Sequence, residues 1–530
     1  MIAAPRTMRQ GLVMALAGIG SLQASGTELH ATARAATSAE PVTACDSLRD
    51  VRMPRIRIRE TERIAATSDT PAYCRVAGEI QPSVGFEIRM PEPAAWNGRF
   101  LVSGCGAFCG TVLPDQPGMR NAIQFAVKRG YAAITTDAGH RGAASTDLSW
   151  ARDNPKAERL YAHAWVPPAA EGGRALLRRY YGRSESRSYF SGCSNGGRTA
   201  LKTAQLYPRL FDGIAAGCSG ANAVYAAGVL GAWLDRTLFD SSGSLTLART
   251  KVPRLQAAVL AQCDALDGRK DGLISAPRRC DFDPGALQCV NAPRKEGAPA
   301  ESDCLTSAEV EVVRRLYSGP RRLDDSSIYP GLPRGSEPDW TNWLLGTSQA
   351  GRPHVADLGT NYLRYIGFPQ DPPLEYSSRE FDLETDIPKL EAQGRVFNAV
   401  EADLRRFRDG GSKLLMYHGL ADGLTIADES IRYVESVIAE FGGRQHYIDS
   451  FLRLFLVPGA GHCASDFDPL LVLERWVEQG IAPDSILVRR SSTETAPEGF
   501  DVCAYRSTAS MDVESPIPET EGECTARLRR

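Results

Sequence analysis

The stretch RSYFSGCSNGGRTALKTAQLYP, residues 187–208, constrains this chain more than any other. An apolar β-type run, RSYF, passes through closely spaced glycines straight into a helix-type run. Gly192, Ser194 and Gly196 complete the pattern G-x-S-x-G at the junction. Glycines let a strand turn sharply into a helix, and a serine on that turn stands with its hydroxyl exposed above the sheet. The plain alternative is a glycine-rich β–α turn that only packs, or that holds a phosphate at a helix start. A base and an acid elsewhere in the chain decide between the two.

The sequence around this turn repeats one grammar. RFLVSG, YAAITTDAG, GRALLRRYYG, RSYFSG, TALKTAQLYP and GIAAGCSG alternate β-type and helix-type runs, and SKLLMYHG and RLFLVPGAGH resume the pattern late. Such alternation predicts an α/β fold, a parallel sheet covered by helices. Between the two halves the texture changes to Pro, Gly, Asp and Arg with local cysteines and aromatic segments such as EPDWTNWLLG. The reading is an interrupted core, with a first part over 37–221, an inserted lid domain over 222–400 and a second part over 401–530.

Residues 1–36 carry Arg6 and Arg9, the apolar run GLVMALAGIG and then small residues, the layout of a signal peptide. The apolar run is too short to span a membrane, which predicts a secreted or periplasmic protein without a membrane partner. A formal charge of -3 with 24% charged residues offers no basic block for nucleic acid, and a small-molecule partner is expected instead. Thirteen cysteines in an exported chain point to disulfides rather than zinc, since no CxxC pair occurs. The odd total leaves at least one thiol unpaired unless a second chain takes part.

A serine hydroxyl needs a histidine base and an acid to become a nucleophile. Seven histidines compete for the role: His30, His140, His163, His354, His418, His446 and His462. His462 follows the strand-like RLFLVPGAG late in the chain, and Asp422 follows KLLMYHG in HGLADGLT. Both lie just past strand C-termini, where α/β sheets keep their chemistry. Taken alone, Asp422 reads as an Asp-Gly turn and His462 as a buried core histidine; together with Ser194 they read as a triad. Acyl transfer also needs backbone N–H donors for the tetrahedral oxyanion. Asn195 is expected to supply one, and the loop LVSGCGAFCG the other, from Ala107 or Gly106. A serine and a histidine held within hydrogen-bond reach also bring their neighbours together, so Cys193 and Cys463 are expected to form a disulfide.

The segment CDALDGRKDGLISAPRRC crowds Asp264, Asp267 and Asp271 between Cys263 and Cys280. Crowded carboxylates repel unless a cation satisfies them, and hard oxygen ligands suit Ca²⁺. From charge alone a solvated acidic turn explains the segment as well.

GCSNGG, HGLADG and PGAGHC together resemble the CS-D-HC arrangement of the tannase and feruloyl esterase family, whose branches include a mono(2-hydroxyethyl) terephthalate hydrolase. YCRVAGEI, WNGRFL, TDAGH, CDALDGRKDG and LVPGAGHC stand in family order, from about Cys45 to Cys524. The resemblance implies a secreted serine carboxylic-ester hydrolase with an α/β-hydrolase core and a lid. By motif it carries the nucleophile to Ser194, the acid to Asp422, the base to His462 and the linking disulfide to Cys193 and Cys463. It also implies the bridges Cys45–Cys74, Cys263–Cys280, Cys289–Cys304 and Cys503–Cys524. Family calcium ligands fall on Asp264, Asp267 and Asp271 with the carbonyls of Arg269 and Leu273, which implies a structural Ca²⁺ in the lid. Cys105 and Cys109 are additions in the oxyanion loop that could bridge each other, and Cys218 is the expected free thiol. Arg364 is misplaced for the arginine with which the terephthalate branch holds a carboxylate. The substrate expected is a phenolic-acid ester of gallate or hydroxycinnamate type. The alternatives are a terephthalate monoester or other aromatic ester, and a non-catalytic calcium-stabilised binding protein.

Overall fold

The computed structural model describes residues 41–115, 122–289, 304–346, 352–489 and 499–506. The expected signal peptide and Cys524 lie outside the described residues. Nine strands form the central sheet: β1 (Ile56–Ile64), β2 (Tyr73–Ile80), β3 (Val84–Pro91), β4 (Arg99–Ser103), β5 (Ala132–Thr136), β6 (Arg187–Cys193), β7 (Gly213–Gly217), β8 (Lys413–Gly419) and β9 (Leu452–Val457). Their order is β1-β2-β3-β5-β4-β6-β7-β8-β9. From β5 to β9 every pairing is parallel, whereas β1, β2, β3 and β5 pair antiparallel.

The parallel strands are short and buried on both faces, so their side chains divide by period two. Phe100, Phe190, Ile214 and Met416 enter one core, and Leu101, Tyr189, Ala215 and Leu415 enter the opposite one with Leu473 and Trp476 of the helix Pro469–Gln479. The antiparallel edge was not foreseen. Its outer strand, IRIRETERI, is largely exposed and laces to its neighbours through Arg59–Glu79 at 2.6 Å and Arg75–Glu60 at 2.9 Å. A charged edge strand of this kind does not invite a further strand from another chain.

β7 and β8 are hydrogen-bonded neighbours, yet residues 218–412 separate them in sequence. The expected insertion, 222–400, falls inside this connection. Its helices Leu230–Leu238, Val252–Cys263, Ser307–Ser318 and Glu337–Trp343 bury their own core, with Leu234, Leu255, Val313, Leu316 and Trp340 at its centre.

Five disulfides occur among the described residues: Cys45–Cys74, Cys105–Cys109, Cys193–Cys463, Cys263–Cys280 and Cys289–Cys304. Cys218 is a free, buried thiol. Cys503 ends the second strand of a small ribbon, Ser485–Arg489 with Gly499–Cys503. That number of bridges suits an oxidising compartment, and no described helix is long and apolar enough to cross a membrane.

Candidate active site

β6 ends at Cys193 and a helix begins at Asn195, leaving Ser194 alone on the turn at φ 61° and ψ −123°. A non-glycine residue held there stores of order 1–3 kcal/mol of backbone strain, which the surroundings must sustain. Ser194 N donates to Gly217 O at 3.0 Å, and Arg198 N donates to Ser194 O at 2.9 Å. Close packing completes the clamp. A Cβ on Gly192 would sit 2.7 Å from the Gly196 backbone, and one on Gly197 would sit 2.2 Å from Gly217 O.

Asp422 follows β8 and is fully buried. Its Oδ1 accepts from the N–H groups of Leu424 at 2.9 Å and Thr425 at 2.8 Å; its Oδ2 accepts from Thr425 Oγ1 at 3.0 Å and from His462 Nδ1 at 2.9 Å. His418 Nε2 stands 3.3 Å from the same oxygen. Burial pushes this carboxyl up, but the charges and hydrogen bonds of His462 and His418 outweigh it and hold the group well below the usual carboxylate range. An imidazole bonded through Nδ1 keeps Nε2 for the serine side. His462 and Ser194 line the same cavity.

The disulfide Cys193–Cys463, with Cα atoms 5.9 Å apart, ties the residue before Ser194 to the residue after His462. Cys218 fills the space behind, where its Sγ accepts from Cys463 N at 3.4 Å. Cys218, His418 and Asp422 are the one group of three potential metal ligands gathered within 4.8 Å among the described residues. Each already has a protein partner: His418 bonds Ser430 Oγ and Thr425 O at 2.8 Å, Asp422 bonds His462, and Cys218 accepts from Cys463 N.

The loop after β4 is held from several sides. Ala107 and Cys109 adopt φ 47° and 59°, and Cys105–Cys109 closes the loop covalently. Tyr161 Oη donates to Ala107 O at 3.2 Å, and His140 Nε2 bonds Phe108 O at 2.8 Å. Burial pushes His140 down to about 4, so it is neutral at pH 7 and donates this proton. Asn195 Nδ2 reaches Cys105 O at 3.3 Å. The side chain of Asn195 thus fixes the loop opposite its own backbone N–H, a role that the sequence did not reveal. Gly106, Ala107 and Ser194 border one cavity, and Asn195 borders a second with Ala107 and Ser194.

These two cavities meet at Ser194. The first, of about 370 Å³, is lined by Ser145, Trp343 and His354 as well as His462. The second, of about 100 Å³, is apolar, with Tyr161, Leu358, Tyr362, Ile366 and Phe397 as walls and Arg198 at its edge. Arg364 lines neither cavity; its guanidinium donates to Tyr376 O at 2.6 Å.

In the acidic loop the carboxylates fold onto their own backbone. Asp264 Oδ1 accepts from Asp271 N at 3.1 Å and Gly272 N at 3.0 Å, and Asp267 Oδ1 accepts from Arg269 N at 2.9 Å. Asp264, Asp267 and Asp271 are not drawn within 4.8 Å of one another. The donor set is all oxygen, which fits a hard cation such as Ca²⁺ and no soft one.

A mostly parallel sheet with a serine on a strained strand-to-helix turn, and a His–Asp pair on the neighbouring strand ends, is the architecture of an α/β-hydrolase. The family model described as tannase and feruloyl esterase matches residues 67–524, and the chain belongs to that family as a carboxylic ester hydrolase. An esterase of Xanthomonas campestris is 30% identical over 94% of this chain and 91% of its own length. Mono(2-hydroxyethyl) terephthalate hydrolase of Piscinibacter sakaiensis is 30% identical over 83% and 81%. The crystal structure of feruloyl esterase B from Aspergillus oryzae superposes with a TM-score of 0.74 at 24% identity, covering 90% of this chain and 99% of that one. The reading as a non-catalytic binding protein is thereby set aside.

Proposed function

We propose that the protein hydrolyses esters of phenolic acids, of gallate or hydroxycinnamate type, through an acyl-enzyme on Ser194. The observation that carries this reading is the apolar, aromatic-walled cavity that opens at Ser194 beside the larger one shared with His462. A flat ring suits the apolar cavity as acyl group, and the larger one leaves room for the alcohol. In this scheme Ser194 Oγ attacks the acyl carbon and its proton passes to His462. Asp422 holds the imidazole tautomer and stabilises the imidazolium. The backbone N–H of Asn195, with that of Ala107 or Gly106, faces the oxyanion. Collapse releases the alcohol with the proton from His462, and water deacylates the serine by the same steps reversed. Residues 222–400 serve as the lid that shapes both cavities. The loop carboxylates of Asp264, Asp267 and Asp271 with the carbonyls of Arg269 and Leu273 would hold a structural Ca²⁺, which neutralises their mutual repulsion.

One observation favours a second reading, a terephthalate monoester or similar acidic acyl group. Arg198 is buried at the edge of the acyl cavity, its guanidinium held by Asn195 Oδ1 and the carbonyls of Ala162 and Phe397, with no carboxylate among its described partners to neutralise it. Kinetics with methyl gallate, methyl ferulate, methyl p-coumarate and a terephthalate monoester discriminate. The highest kcat/KM is expected on a phenolic ester; preference for the terephthalate monoester selects the second reading, and preference for simple aliphatic esters overturns both.

A further inference from the structure

The helix Glu337–Trp343 belongs to the long connection between β7 and β8, far in sequence from the loops that carry Asp422 and His462. Yet a single oxygen of Asp339, Oδ2, accepts from His462 N at 2.6 Å and from Gly423 N at 3.2 Å. These two N–H groups belong to His462 itself and to the residue after Asp422. We propose that Asp339 is a positioning residue of the hydrolytic site, a clasp by which the inserted segment fixes the base-bearing loop against the acid-bearing loop.

The glycines around the clasp support this independently. A Cβ on Gly461 would lie 2.5 Å from Asp339 Oδ1, and one on Gly423 would lie 3.0 Å from Asp339 Cβ. Neither glycine adopts a positive φ, so backbone conformation does not demand glycine at either place. Room for the Asp339 carboxylate does at Gly461, and room for the Asp339 Cβ and the Trp340 ring does at Gly423. Among the described residues no lysine or arginine forms an ion pair with Asp339, so its acceptor capacity is directed at the two loops. The same helix also presents Trp343 edge-on to the His462 ring, with centroids 5.2 Å apart and planes at 88°. The histidine is therefore located at two points, its ring by Asp422 through Nδ1 and its backbone by Asp339.

The inference rests on His462 being the base. Turnover of p-nitrophenyl acetate, a probe indifferent to acyl specificity, tests it in the full-length protein. Asp339→Ala is expected to lose on the order of 10²-fold in kcat, the cost of a catalytic group displaced by about 1 Å, with KM nearly unchanged. Gly461→Ala, which forces the carboxylate out while leaving it in the chain, should cost a similar factor alone and little more in the Asp339→Ala background. Asp339→Asn can keep an oxygen on both N–H groups and should restore most of kcat. It also removes a negative charge that favours the imidazolium, so the acid limb of kcat/KM should move to lower pH. The groups facing His462 are Asp422, Asp339, the Thr425 hydroxyl, the Trp343 ring and, in the shared cavity, His354. Parental kcat in Asp339→Ala, a loss confined to KM, or additive Asp339→Ala and Gly461→Ala effects would overturn the clasp. Should Asp339→Ala fail to fold, an unmoved acid limb in Asp339→Asn overturns it. His462→Ala and Ser194→Ala serve as references: if they retain turnover, the triad reading has failed, whereas inactive references beside a parental Asp339→Ala sink this inference alone.

Discussion

Replacing Cys193 and Cys463 together by alanine cuts the covalent tie between the nucleophile's neighbour and the base's neighbour. The bridge joins residues with a sequence separation of 270, by far the longest loop closed by any described disulfide. Loop-closure entropy for a loop of that length corresponds to about 5–6 kcal/mol at 25 °C, an upper figure because denatured chains stay compact. Unfolding entropy of about 2.1 cal/mol/K per residue gives on the order of 1 kcal/mol/K for a chain this long, so the melting temperature should drop by about 5 °C. The second effect is local. Asp422 and the backbone hydrogen bonds still hold His462, but nothing covalent then fixes its loop to the serine turn, and kcat should fall about 10- to 100-fold with KM nearly unchanged. Melting followed by circular dichroism, and ester hydrolysis at 25 °C on the same folded sample, separate the two effects. A variant that melts lower yet keeps parental kcat refutes the positional half of the reasoning; one that keeps both refutes all of it.

Asp422→Asn should lower kcat by about 10⁴-fold, because an amide cannot hold the His462 tautomer or offset the imidazolium; rates within tenfold of the parent would place the acid elsewhere. Chelation of metal by EGTA should lower the melting temperature with little change in kcat at 25 °C, and added Ca²⁺ should restore it; a melting temperature unmoved in metal-stripped protein counts against the loop site. Burial pushes Glu429 from 4.5 to about 8, so folding takes up a proton and the stability contributed below pH 4.5 is lost as pH rises towards 8. Glu429→Gln should flatten that decline, as measured by urea unfolding at several pH values. Ala226→Leu fills the apolar cavity at Ser194, and should cut kcat/KM for methyl ferulate relative to p-nitrophenyl acetate by about tenfold or more; an unchanged ratio would place the acyl group elsewhere.

The parallel half of the sheet was legible because each strand is a short apolar run that ends in glycine, as in RSYFSG and SKLLMYHG. Ser194, Asp422 and His462 were legible for the same reason: each sits just past such a run, and the structure brings the Asp422 and His462 side chains together and places His462 in one cavity with Ser194. The antiparallel strands β1 to β3 were missed because β1 alternates isoleucine with arginine and glutamate. That pattern reads as a solvated segment until its charged partners on β2 are known. Asp339 left no local trace, since EPDWTNW reads as an ordinary helix start and the N–H groups that donate to it lie 84 and 123 residues away. The only signal lay in the glycines at 423 and 461, whose reason is a neighbour in space. Tyr161 and the Asn195 side chain were silent likewise, because what they hold is the carbonyls of the loop after β4.

The central claim is that this esterase works by a covalent step at Ser194 activated by His462. Labelling with a fluorophosphonate, followed by peptide mass spectrometry, tests it most directly. One adduct per chain is expected, on the peptide that contains Ser194, lost in Ser194→Ala and strongly slowed in His462→Ala. An adduct on another residue, or a Ser194→Ala protein that still hydrolyses esters at the parental rate, would contradict it.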